Sequence, residues 1–145
     1  MLGKGASSSI SMADGSAEDM ALKNNFTVLV VDDDPIIRKV HDMQLKKFGL
    51  KPQVVENGKK AVDLCLAGGT FNLILMDKEM PVMDGVEATK ELRTMGVNSL
   101  IAGVTSRALS SEKKAFLEAG LDFCFEKPLT PEKINVLLKE LNKNN

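Results

Sequence analysis

The chain has 145 residues, 43% hydrophobic and 27% charged, enough for one soluble domain with a substantial core. Nineteen basic and twenty acidic side chains give a formal charge of −1. The lysines are spread over every predicted helix, so no basic face for nucleic acid is expected. No apolar run approaches the ~20 residues that span a bilayer, and no secretory, mitochondrial, myristoyl or prenyl signal is readable, so no membrane partner is expected.

Residues 1–25 are rich in Ser, Ala and Gly and lack apolar periodicity. Such a segment buries too little to offset its ordering entropy, so a disordered tail is expected there, with the domain covering 26–145. FTVLVV (26–31) reads as a strand buried on both faces. Asp34 as N-cap and Pro35 at N1 open the first helix. Ile37, Val40, Gln44 and Phe48 recur on one of its faces, and Gly49 closes it. A weak strand is predicted at 53–55. Asn57 and Gly58 lead into a helix over 58–67, with Ala61 and Cys65 on one face.

LILMD (73–77) is the next buried strand, and Asp84-Gly85 starts a helix running to about Met95. LIAGVT (100–105) is a fourth strand, Ser110 or Ser111 caps a helix ending at Gly120, and DFCFEK (122–127) is a fifth strand. Thr130-Pro131 starts the last helix, whose Ile134, Leu137, Leu138 and Leu141 form an apolar stripe. Five strands alternating with five helices predict an α/β, doubly wound parallel sheet covered on both faces, with no second domain after it.

The chemistry-bearing residues fall where strands end: Asp32, Asp33 and Asp34 after the first, Asp77 after the third, Thr105 after the fourth, Lys127 after the fifth. Open α/β sheets bind ligands outside these ends, at the switch point of strand order. In the order 2-1-3-4-5, Asp32, Asp33 and Asp77 converge. Three adjacent carboxylates need a cation, and a hard oxygen site with room for water and phosphate suits Mg²⁺. One carboxylate can then attack phosphorus while the metal, the Lys127 ammonium and the Thr105 hydroxyl hold the equatorial oxygens.

VVDDDP (30–35), LILMDKEMPVMDG (73–85), GVTS (103–106) and EKPLT (126–130) resemble the response-regulator receiver domain. The resemblance covers about 26–141. It implies a flavodoxin-like sheet in the order 2-1-3-4-5, Asp77 as phosphoacceptor and Asp32/Asp33 as the acidic pair. It also implies a metal ligand from the Glu79 backbone carbonyl, Thr105 as switch hydroxyl, Lys127 as phosphate clamp, and a cis Lys127-Pro128 bond. The MDKEMP form, without an output domain, looks most like plant type-C response regulators. That likeness implies a cytokinin-type multistep phosphorelay, a histidine-containing phosphotransfer protein as donor, and a hybrid histidine kinase upstream. A monomer is expected.

Three positions depart from the family or modulate it. Many receivers carry Tyr or Phe three residues before the clamp lysine; here it is Cys124, with Phe123 and Phe125 facing the other side. A small thiol cannot repeat an aromatic swing, so a weak conformational readout is expected on the face of the fourth helix, fifth strand and fifth helix. In receivers the places of Glu79 and Arg107 flank the path of a hydrolytic water, where the resemblance implies either an acid that repels or orients that water or a Glu79–Arg107 ion pair that lids the site. The lone histidine, His41, is expected to pack at the edge of the core.

Cys65 and Cys124 lack metal-ligand spacing and read as buried thiols of a reducing compartment, so a cytoplasmic and also nuclear location is expected. Rival functions are weighed by what they leave unused. A haloacid-dehalogenase-like phosphohydrolase would use Asp32 and Asp34 but leaves Asp77 idle and needs a later acidic pair. A non-catalytic pseudo-receiver docking module has no use for the full Asp32/Asp33/Asp77/Thr105/Lys127 set. A phosphate sink, in effect a phosphohistidine phosphatase towards its donor, fits best.

Overall fold

The computed structural model describes residues 25–106 and 109–143. The expected tail, apart from Asn25, and Arg107 lie outside the described residues. The elements alternate as β1 (Thr27–Val31), α1 (Pro35–Lys47), β2 (Lys51–Val55), α2 (Gly58–Leu66), β3 (Leu73–Asp77), α3 (Gly85–Thr94), β4 (Leu100–Thr105), α4 (Ser110–Glu118), β5 (Phe123–Glu126) and α5 (Pro131–Lys143). All strand pairs are parallel, in the order β2-β1-β3-β4-β5. β1 and β3 are therefore neighbours, and the chain reverses direction across the sheet between them, at the switch point.

Strand alternation divides the core in two. Val28, Val30, Leu73, Leu75, Ala102 and Val104 face α1 and α5. Leu29, Val31, Ile74, Met76 and Ile101 face α2, α3 and α4. Phe123 and Phe125 join the first layer and stack at 5.8 Å, while Cys124 packs in the second, as alternation requires. β2 lies at the sheet edge, opens with Lys51-Pro52, and starts two residues before the predicted strand.

Helix starts follow the predicted caps in four of the five described helices. Asp34 accepts from the Ile36 amide at 2.9 Å, Asn57 from Lys60 at 2.9 Å, Asp84 from Glu87 at 2.9 Å and Thr130 from Lys133 at 3.3 Å. At α4 the expectation is corrected. Ser110 is already helical, Leu109 holds the cap position, and among the described residues no side chain caps the helix. The α1 face is corrected too. His41 and Leu45 are the buried residues, and Val40 is exposed, because the stripe that meets the sheet is rotated one residue from the apolar pattern. The two thiols are free and only half-buried.

The end of the sheet away from the strand carboxyl termini is pinned by Arg93. Its guanidinium donates to the carbonyls of Gly120, Val97 and Ser99 and meets Asp122 Oδ2 at 2.9 Å. Asp122 Oδ2 also accepts the Ile101 amide. A groove of about 620 Å³ beside this clamp includes Phe26, Phe71 and Leu141, at the end opposite the acidic residues. No described helix is long and apolar enough to cross a membrane.

Candidate functional site

Two glycines clear space that the packing around the sheet requires. A Cβ at Gly85 would sit 2.2 Å from the Asp77 carbonyl oxygen, so only glycine lets α3 start against the end of β3. Before it, the Met83 amide donates to the Pro81 carbonyl at 2.8 Å across Val82, whose φ is +71°. That is a γ-turn on a β-branched residue, a costly backbone conformation. The Gly85 amide then returns to the Lys78 carbonyl at 2.9 Å. On β4, a Cβ at Gly103 would lie 2.5 Å from both Leu121 and Phe116, so the strand is bare where α4 lies on it.

At the carboxyl end, Asp32 and Asp77 are each 1% exposed, while Asp33 is exposed. One carboxylate oxygen from each of Asp32, Asp33 and Asp77 lies within 4.8 Å of the others. Asp32 Oδ1 accepts the Asp34 amide at 3.0 Å, and Arg38 holds the Asp32 carbonyl at 2.8 Å. Asp32 Oδ2 is buried without a hydrogen-bond partner. An orphaned anionic oxygen beside two further carboxylates is the donor set a hard divalent cation satisfies, so these residues fit Mg²⁺.

The Lys127 ammonium reaches in from the end of β5, 2.8 Å from Asp77 Oδ1 and 3.7 Å from Asp32 Oδ2. Its loop contains the cis Lys127-Pro128 bond and is held by Lys133, which donates to the carbonyls of Glu126 and Pro128, and by Gln44, which donates to the Leu129 carbonyl. Burial pushes the Asp77 carboxyl up to about 6, against the hydrogen bond and charge of Lys127, and the Asp32 and Glu79 charges add to the rise. Burial opposes the Lys127 charge, but Asp77 foremost, with Asp32 and Glu79, holds its pKa above the ordinary lysine value.

Thr105 is fully buried and donates its hydroxyl to Glu79 Oε2 at 2.9 Å. Ser106 reaches the other Glu79 oxygen at 3.5 Å. The Glu79–Arg107 pair that the sequence offered as one alternative involves a residue outside the described ones; among the described residues Glu79 is engaged by Thr105, Ser106 and, at 3.8 Å, Lys78. Lys78 and Glu112 also form an ion pair at 3.4 Å that the sequence did not announce. Cys124 stays beneath this group, and burial pushes its thiol up, against Lys113 and Lys78. His41 is buried, and burial lowers its pKa, offset by Asp32.

The response regulator receiver domain profile matches residues 28–139. Two-component response regulator 24 of Arabidopsis thaliana is 51% identical over 83% of this chain and 86% of its own length. Regulator ARR22 of the same plant is 53% identical over 82% of this chain and 85% of its own. The receiver domain of the Pseudomonas aeruginosa kinase PA1611, with magnesium in its active-site cleft, superposes with TM-score 0.71 at 27% identity, over 81% of this chain and 97% of its own. So does the receiver domain of yeast (Saccharomyces cerevisiae) Ssk1, solved with the phosphotransfer protein Ypd1: TM-score 0.71, 25% identity, 82% of this chain and 88% of that one. With the profile matching residues 28–139 and the Arabidopsis regulators more than half identical over most of their length, the chain belongs to the response regulator receiver domain family and resembles its plant type-C members.

Proposed function

We propose that the chain accepts a phosphoryl group on Asp77 from the phosphohistidine of a histidine-containing phosphotransfer protein. The observation that carries this reading is the Lys127 ammonium 2.8 Å from a buried Asp77 oxygen, beside the orphaned Asp32 oxygen. An Asp77 oxygen forms the bond to phosphorus as the phosphorus–nitrogen bond breaks and its electron pair returns to the imidazole. Lys127 holds an equatorial oxygen and Thr105 supplies a hydroxyl. Asp32, Asp33, Asp77 and the Glu79 carbonyl would hold Mg²⁺, which would supply positive charge to offset the negative charge developing on the transferring group.

The donor's helical surface has a place to rest. Ile36, Val40 and Met43 are exposed at one-turn spacing on α1, which starts directly after the acidic residues. The solved Ypd1 complex supports a partner of this class. Cys124 in the aromatic place supports a phosphate sink in a cytokinin-type relay over a strong output signal, and a cytoplasmic and nuclear monomer suits that role.

The test is to incubate the chain with labelled phosphohistidine donor and Mg²⁺. Label should appear on the chain and leave as inorganic phosphate while the donor is depleted. Asp77→Asn should accept none, and labelling of that variant would refute the reading.

A further inference from the structure

Four side chains lead away from Asp77 in a row: Thr105 at the end of β4, Glu79 and Lys78 in the β3–α3 loop, and Glu112 in the first turn of α4. Their contacts are 2.9 Å, 3.8 Å and 3.4 Å in that order. A threonine hydroxyl has a single proton to donate. Here Glu79 takes it. A phosphoryl group on Asp77 brings new acceptor oxygens carrying nearly two negative charges to the same end of the sheet. The two acceptors therefore exclude each other, and the added charge also repels the Glu79 carboxylate.

Glu79 has one nearby cation to turn to among the described residues, Lys78, which is 18% exposed on its side chain and already shared with Glu112. On the far side, α4 begins without a side-chain cap. An uncapped first turn leaves backbone donors unsatisfied within the helix, so a change in the pull on Glu112 acts where the helix is weakest.

We propose that Glu79 is the resting-state acceptor of the Thr105 proton, a latch released when Asp77 is phosphorylated, and that the freed carboxylate draws Lys78 from Glu112 and loosens the first turn of α4. The inference rests on Asp77 being the phosphoacceptor. The response is confined to one helix turn and needs no aromatic swing at Cys124. Glu79 is thus a positioning residue for the hydroxyl.

The test uses the full chain with beryllofluoride and Mg²⁺ as the acyl-phosphate mimic. Affinity is measured for wild type, Glu79→Ala, Thr105→Val and the double variant. Glu79→Ala should bind the mimic about tenfold tighter, the scale of one charge-assisted hydrogen bond. With Thr105→Val present, the same substitution should give less than half of that gain. Glu79→Gln, which keeps an acceptor without the charge, should fall between wild type and Glu79→Ala.

Amide hydrogen exchange supplies a second readout. The mimic should raise exchange of residues 110–113 several-fold in wild type and leave it unchanged in Glu79→Ala. Glu112→Gln should raise it in the metal-free protein, with no mimic present. Equal affinity gains with and without Thr105, or the same exchange response in wild type and Glu79→Ala, would overturn the latch alone. A wild type that binds no mimic would overturn the phosphoacceptor reading and the latch with it.

Discussion

The Lys127 ammonium sits 2.8 Å from Asp77 and 3.7 Å from Asp32, one cation against two carboxylates that are each 1% exposed. Removing it leaves buried like charges uncompensated, which costs far more than the net worth of an intact pair. Lys127→Ala should lose roughly 2–4 kcal/mol of stability at pH 7 in urea unfolding without metal. It should bind Mg²⁺ more tightly than wild type, and phosphotransfer should fall on the order of 10²-fold. A metal-free stability equal to wild type would show that the pair does not compensate these charges.

Asp77 gives the site a pH signature. Its carboxyl is raised from 3.8 to about 6 in the folded chain. Between these values the native state holds a proton that the unfolded chain has lost, so metal-free stability falls as pH rises from about 4 to 6. Asp77→Asn removes this slope and should be more stable than wild type at pH 7 by on the order of 2 kcal/mol. His41 has the opposite sign, since its lowered pKa contributes stability that is lost as pH falls through it. Both chains keep His41, so the difference between their urea-unfolding curves isolates Asp77.

Val82 holds φ at +71° while being exposed, so its side chain contributes little packing to offset the strain. Val82→Gly should raise stability by about 1 kcal/mol, the relief of a β-branched residue at positive φ less the greater chain entropy of glycine. A thermal melt of the metal-free protein reads this directly, and a lowered midpoint would refute the strain.

Arg93 satisfies three carbonyl groups and Asp122 at once. Arg93→Met keeps much of the bulk and should cost roughly 2–3 kcal/mol, nearly all of it from the carbonyl groups left unsatisfied. Phosphate-mimic affinity should be unchanged, because the clamp lies at the opposite end of the sheet. A large affinity loss would show that the two ends are coupled.

The fold was legible because its punctuation is chemical. Asp34-Pro35, Asp84-Gly85 and Thr130-Pro131 each mark a helix start that the backbone amides then use. The order 2-1-3-4-5 makes β1 and β3 neighbours and so brings Asp32, Asp33 and Asp77 together, while the Lys127 side chain reaches them from the edge strand β5. What stayed hidden depends on side-chain orientation. Val40 looks like core and is exposed, while the polar His41 is buried one position on. Ser110 looks like a cap and is helical. The Thr105–Glu79 bond and the Lys78–Glu112 pair join residues 26 and 34 positions apart through rotamers that no spacing encodes.

The composition of β2 bears on how crowded a solution of this protein can become. Among the described residues its outer side pairs with no other strand, and in a flat apolar strand such a row of backbone groups would recruit the same strand of another molecule. Pro52 removes one donor from that row, and Lys51 repels its own copy at the start of any such pairing. Under the proposed function the chain meets its donors by diffusion and gains from staying dispersed, and these two residues favour dispersal over fibre growth.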